Sequence, residues 1–419
     1  MKTNLSRFFP TALVAIAFTL TTAAAAQYSE TILHDFTDSG DGDAPVGNVV
    51  FDAAGNLYGA TLGGGANHQG TIYEISPSSG ESILYSFIGP LDGKSPNGGL
   101  IMDGAGNLFG TAFVGGPNAN GLVFELSPSG NGGWTQKVLH YFQGGTDGSE
   151  PLASLAFDSK GSLYGTTFGG GANNLGSVFR LSLTAKGWAE KVIYSFTGGS
   201  DGANPRANVT LDAAGNIYGT ASIGGSKTNT ICVDLGGCGT VFRLSPVNGW
   251  HLAPIYTFEG PRGAYPDAGL TFDAAGNLYG TTALGGSCVS STGCGTAFEL
   301  VPTSQGAWKH IILHNFTGFT DGASPQAGLT PDSAGDLFGA TAEGGPRNLV
   351  GGTVFELSPS SSGWTFSTLY QFGAPNDGSG PSGGIILDAS GNLYGSTGGG
   401  GTSFDGTVYE ISPPASIRQ

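Results

Sequence analysis

The chain has 419 residues, with 15 Lys and Arg against 31 Asp and Glu for a formal net charge of -16, and it carries 76 glycines and 22 prolines. An acidic surface poor in Lys and Arg repels phosphate backbones and anionic lipid, which argues against nucleic acid and membrane surfaces as partners. Gly and Pro at this level raise the question of unstructured low complexity, but regular apolar runs recur between the glycines, so the glycines punctuate structure instead of replacing it.

Residues 1–26 come first and stand apart. Lys2 and Arg7 precede an apolar run over 8–20, and Ala24, Ala25 and Ala26 supply a small-residue cleavage pattern, so this stretch reads as a secretory signal peptide. The run is short for a transmembrane span. No second candidate span follows, and the end of the chain, 411–419, has no hydrophobic tail. The expected mature protein starts at Gln27, outside the cytoplasm, with no membrane span.

From there to 419 one unit repeats. The phrase Asp-x-x-Gly-(Asn/Ser/Asp)-(Leu/Ile)-(Tyr/Phe)-Gly starts at Asp52, Asp103, Asp158, Asp212, Asp273, Asp332 and Asp388, 51 to 61 residues apart. Four apolar segments recur around it; in the second unit they span 96–103, 106–111, 121–128 and 134–142. Each is short, rich in Val, Leu, Ile and aromatics, and bounded by Gly, Pro, Asn or Asp, as strands are. Asp-x-x-Gly-Asn is a tight turn in which Asp bonds its own backbone. Four strands repeated seven times predict an all-β, seven-bladed β-propeller over 27–419. The third strand occurs seven times, starting at Gly70, Gly121, Gly176, Gly239, Gly295, Gly352 and Gly406, and no fourth strand follows the last copy. The missing strand is at the other end: Ile-Leu-His-Asp-Phe at 32–36 has the form of Ile-Leu-Tyr-Ser-Phe at 83–87. It is expected to complete the last blade and remove the edges of a broken ring.

The runs Gly-Thr-Val-Phe-Glu-Leu-Ser-Pro, Leu-Tyr-Ser-Phe-x-Gly-Gly-x-Asp-Gly-x-x-Pro and Gly-Asn-Leu-Tyr-Gly-Thr-Thr-x-x-Gly-Gly resemble the GloVer tandem repeat of bacterial secreted "choice-of-anchor" proteins, over essentially the whole mature chain. The resemblance implies an extracellular or envelope protein of a bacterium and brings no established activity or catalytic residues. Such proteins often carry a C-terminal sorting anchor, and this chain departs from them in showing none. The strand order is also similar to that of NHL-type propellers, an analogy of fold only.

Two pairs of cysteines, Cys232 with Cys238 and Cys288 with Cys294, sit in equivalent places of adjacent repeats. Two local disulfides are expected. A four-Cys zinc site would need the two loops to converge, and the spacing is not C-x2-C.

The loops after the second and fourth strands of each unit share one face, rich in glycine, where binding residues of a rigid scaffold usually sit. Its Asp-Gly-x-x-Pro connections supply the candidate ligand-binding residues Asp41, Asp92, Asp147, Asp201, Asp321 and Asp377, with Arg262 in the fifth. Two readings stand side by side. The carboxylates form a ring near the channel mouth, able to hold Ca²⁺ or sugar hydroxyls, or each Asp-Gly is a turn. Repetition favours the turn, because a site usually breaks symmetry. Arg262 does break it, as a ligand-reading residue or a drifted turn position.

Trp134, Trp188, Trp250, Trp308 and Trp364 each stand eight residues before the Phe that ends their strand, an even interval that puts both on one side, packed between blades. The six histidines form no defensible metal or nucleophile set, and no Gly-x-Ser-x-Gly, His-Glu-x-x-His or phosphate loop occurs. No cofactor is expected apart from the Ca²⁺ option. The expected function is that of a secreted, monomeric binding or scaffold module for an extracellular polymer, a glycan, or for an envelope protein. The alternative is an extracellular hydrolase or lyase with an asymmetric site at the channel mouth near repeats four and five. An enzyme should cluster non-repeated polar residues at one point of the Gly-rich face; a scaffold should repeat its residues in every blade.

Overall fold

The repeated phrase makes a hairpin, and its second copy shows how. Asp103 Oδ1 accepts the backbone N–H groups of Ala105 and Asn107, both at 2.9 Å, and the Asn107 amide donates to Oδ2 at 2.8 Å. The loop is thereby pinned before the chain returns as the strand Leu108–Ala112. All seven phrase aspartates accept the same pair of backbone N–H groups, two and four residues on. The glycine that ends the phrase answers to packing. A Cβ on Gly110 would lie 2.6 Å from Cζ of Phe124, the aromatic ring that crosses it from the third strand.

In the computed structural model, which describes residues 27–288, 292–345 and 351–414, these hairpins extend into seven four-stranded antiparallel sheets. They stand in a ring as a β-propeller with almost no helix, as the repeat count predicts. The expected signal peptide, 1–26, lies outside the described residues. Blade 1 begins with Asp43–Phe51, and blades 2 to 7 begin with the short inner strands at Ile101–Met102, Ala156–Phe157, Thr210–Leu211, Thr271–Phe272, Thr330–Pro331 and Ile386–Leu387. The last sheet takes its outer strand from the start of the chain. Ser29–Asp35 pairs antiparallel with Thr407–Ser412, from Ser29 opposite Ser412 to Asp35 opposite Thr407. The ring closes as expected.

Every outer strand carries one bulge. The register shifts once in each pairing of third and outer strand, leaving Leu33, Leu84, Leu139, Ile193, Ile255, Leu313 and Leu369 as the extra residues. A bulge flips the alternation of side chains beyond it. The even Trp–Phe interval therefore does not put both rings on one side, which corrects the sequence expectation. Trp134 in blade 2 packs back on Tyr58 of blade 1 at 6.1 Å, whereas Phe142 packs forward on Phe179 of blade 3 at 5.1 Å. The forward contact recurs at all seven junctions, from Phe36 on Tyr73 to Phe372 on Tyr409, edge to face and fully buried. Such pairs contribute about 0.5–1.5 kcal/mol each beyond the area they bury.

The connections meet on one face, as the alternation of strands requires. Backbone bridges join Lys94 to Val114, Ser149 to Gly169, Ala203 to Ile223, Ala264 to Leu284 and Ala323 to Glu343, so each Asp-Gly-x-x-Pro segment lies against the loop after the second strand.

Candidate functional site

The bulge aims one side chain per blade at the next connection. The residue after it is His34, Tyr85, His140, Tyr194, Tyr256, His314 or Tyr370. In six blades this side chain hydrogen-bonds the Asp-Gly-x-x-Pro carboxylate: His34 to Asp41, Tyr85 to Asp92, His140 to Asp147, Tyr194 to Asp201, His314 to Asp321 and Tyr370 to Asp377, at 2.7–3.3 Å. Each carboxylate also accepts a backbone N–H four residues back, from Thr37, Ile88, Gln143, Thr197, Thr317 and Gly373. The six aspartates thus sit in six separate clasps. A Ca²⁺ ion shared among them would need these clasps to open.

Groups from the following blade close several of the clasps. Gln136 donates to the Asp92 carbonyl at 2.8 Å, Phe366 stacks on His314 at 3.8 Å, and Tyr370 donates to Glu30 at 3.0 Å. Glu30, Glu81 and Glu190 each bring a second carboxyl to a clasp, and the Oε1 atom of each is buried without a hydrogen-bond partner. Burial, then the neighbouring Asp377, pushes Glu30 up to about 8; burial and then Asp147 do the same to Glu190. Burial also raises Glu81. Burial thus biases each of these glutamates toward its protonated form. His140, Asp147 and Glu190 bring one ligand atom apiece within 4.8 Å of one another, the one such group among the described residues. One imidazole with two carboxylates is not the all-oxygen shell of Ca²⁺.

Arg262 fills the fifth position differently. Its Nη2 donates to His310 Nδ1 at 3.2 Å and to the His310 carbonyl at 3.1 Å. Arginine has no acceptor, so that Nδ1 carries no proton and His310 is neutral; burial, then the Arg262 charge, lowers it to about 4. His310 stacks on Tyr256 at 4.2 Å. Arg262 thus joins blade 4 to blade 5, where the aspartates join the other blades.

The asymmetry lies five residues downstream, past the proline. Here the chain lines a cavity of about 440 Å³ at the channel mouth, within the range of small-molecule sites. The residue after each proline faces it, and that residue differs in every blade: Val46, Asn97, Leu152, Arg206, Asp267, Gln326 and Ser382. Arg206 and Asp267, from adjacent blades, form the charged part. The Arg206 guanidinium lies over Phe168 at 4.7 Å and Tyr265 at 5.6 Å, a cation–π arrangement. Asp267 Oδ1 accepts the Ser222 hydroxyl at 2.6 Å, and burial pushes its carboxyl up to about 6 against that bond and the Arg206 charge. Asn208 lines the same side. None of these residues was singled out by sequence reasoning. The signal was present in the variation after an invariant proline.

Both expected disulfides form, Cys232–Cys238 and Cys288–Cys294, on the loops of blades 4 and 5. Cys232 stands on the short helix Thr230–Asp234, capped by Asn229, and the Cys238 carbonyl accepts the N–H of Tyr265 beside Arg206. No helix among the described residues is long and apolar enough to cross a membrane.

Comparison with known proteins bears on the fold. A model of the Gloeobacter/Verrucomicrobia repeat matches residues 14–233 and 233–418. No curated protein matches. Among solved structures, the extracellular domain of a protein from B. thetaiotaomicron, described as a one component system, overlays with a TM-score of 0.51 at 11% identity, over 91% of this chain and 39% of that one. The chain thus spans well under half the length of that neighbour. A Thermus thermophilus protein described as an oxidoreductase (glucose dehydrogenase) gives a TM-score of 0.40 at 15% identity, over 92% of this chain and 99% of that one.

Proposed function

The chain belongs to the Gloeobacter/Verrucomicrobia repeat family, and we propose that it is an exported binding module that holds a polyhydroxylated ligand, a glycan, at the channel mouth. One observation carries this reading. On a ring whose turns and aromatic pairs repeat in every blade, the residue just past each proline does not, and Arg206 and Asp267 put the charge at one side of the cavity, beside Asn208. Side-chain amides of Asn97, Asn208 and Gln326 suit hydroxyl groups. Export is supported by two disulfides, a feature of oxidising compartments, and by the extracellular domain among the structural neighbours.

The alternative, an extracellular hydrolase or lyase, draws on Asp267, whose raised carboxyl has the character of a general acid. Glycoside hydrolysis takes a pair of carboxyl groups. Asp267 is the one carboxylate among the described residues that line the cavity. Binding is therefore the reading we adopt. A glycan array probed with the mature protein, followed by chromatography of any bound glycan after incubation, tests both. Retention of intact glycan, lost in Arg206→Ala, is expected; release of shortened products would transfer the case to catalysis.

A further inference from the structure

The guanidinium of Arg206 is held in place chiefly by aromatic rings. Its one ion-pair partner among the described residues is Asp267, and the Nε–Oδ1 distance of 3.9 Å is beyond hydrogen-bond reach. Nε itself is buried without a hydrogen-bond partner. The Asp267 oxygen nearest to it is engaged by Ser222 instead. A group that carries five N–H donors in a planar fork, and no acceptor, is thus stacked between Phe168 and Tyr265 with its side chain 37% exposed beside the cavity. Stacking restricts the orientation of the fork in advance, which lowers the cost of receiving a planar anion.

We propose that the channel-mouth cavity recognises a sugar acid, the Arg206 guanidinium taking the ligand carboxylate while Asn97, Asn208 and Gln326 take ring hydroxyls. The inference rests on the glycan-binding reading and narrows it. A carboxylate matches the fork in two parallel hydrogen bonds, which a neutral sugar cannot do. The formal charge of -16 on the chain opposes a polyanion at long range. One carboxylate among neutral sugars meets that field least, and within the Debye length of about 8 Å it meets Arg206 first.

Asp267 competes with the ligand for the same cation. The groups that face it are Arg206, Ser222 and Tyr265. Ionised, it neutralises Arg206 and repels a second carboxylate; protonated, it does neither. With its carboxyl raised to about 6 by burial, the competition fades as pH falls through that value. Affinity for the acidic sugar should therefore rise from pH 8 to pH 5.5, with affinity for a neutral sugar unchanged.

The test is calorimetric titration of the mature protein with a panel of aldobiouronic acids of gluco, galacto and manno configuration and their carboxyl-reduced disaccharides. The expected result is an acid that binds tenfold or more tighter than its reduced form at pH 5.5, with a smaller advantage at pH 8. Arg206→Gln should erase the advantage at an unchanged melting temperature, the acid then binding no tighter than its reduced form. Asp267→Asn should keep the advantage at pH 8. Equal affinity for acid and reduced sugar at pH 5.5, or a preference that survives Arg206→Gln, overturns the inference and leaves the glycan reading standing. Failure of every acid and every reduced sugar to bind overturns both.

Discussion

Two positions of the same seven connections, five residues apart, obey opposite rules. The first is Asp in six blades and Arg in one, and it is clasped in every blade by neighbouring strands. The second, just past the proline, is a different residue in each blade and faces the cavity. The geometry of a blade junction is the same seven times, so its solution repeats; a ligand has no sevenfold symmetry, so the residues that read it need not. Repetition marks what holds the ring, and variation at a fixed position marks what the ring holds.

The largest effect should follow from breaking the outer set where it closes the ring. Deleting residues 27–37 removes Glu30, His34 and the fully buried Phe36 together with the whole outer strand of blade 7. Loss of one buried Phe alone costs about 3–5 kcal/mol. The deletion should cost more than that and unfold a domain of ordinary stability, about 5–15 kcal/mol. A truncated protein that melts within a few degrees of the intact one by calorimetry would refute closure by this strand.

A smaller effect should come from protons in the clasps. Glu30 and Glu190 are raised from 4.5 to about 8 in the folded protein. The folded state then binds more protons than the unfolded between those values, so stability is full below about pH 4.5 and falls as pH rises towards 8. At lower pH the sign reverses. Burial alone would raise Asp52, Asp158, Asp273 and Asp388, but hydrogen bonds from their turns outweigh it and hold them low. Their contribution is lost as pH falls below the ordinary carboxylate range. The melting temperature should thus drop between pH 5 and pH 9 by about 2–4 °C, allowing for partial exposure of the glutamates. Glu30→Gln combined with Glu190→Gln should flatten that slope, and an unchanged slope would remove the protons on these two glutamates from the account.

A single disulfide should have a smaller effect. Each closes a separation of only six residues, for which chain entropy gives about 2 kcal/mol at most. Reduction should lower the melting temperature by about 2 °C per bridge for a chain of this length. A collapse of the fold on reduction would mean that the blades depend on the loops.

Seven blades, ring closure and the two disulfides were legible in the sequence, because turn aspartates, short apolar strands and paired cysteines act locally and repeat. The bulges were not. An extra residue such as Leu139 shows only in the register between two strands, and without it the Trp134–Phe142 interval misassigns one ring. The cavity was half legible. Its face followed from the alternation of strands, but along the chain the repeated aspartates and Arg262 stand out as charged turn residues and the cavity residues do not. Arg206 and Asp267 look ordinary within their own repeats, 61 residues apart, and only the ring brings them together.

The opposition between the two positions can be measured in one paired experiment, melting and glycan binding of Asp201→Asn beside Arg206→Gln. Asp201 is 6% exposed and accepts bonds from Tyr194, the Thr197 backbone and the Thr197 hydroxyl. Its amide variant should cost about 1–3 kcal/mol, lower the melting temperature by about 1–3 °C, and bind glycan as the parent protein does. Arg206→Gln should melt with the parent and lose the preference for the acidic sugar. The reverse pattern, binding lost in Asp201→Asn at an unchanged melting temperature and retained in Arg206→Gln, would return the ligand to the carboxylate ring and contradict the account.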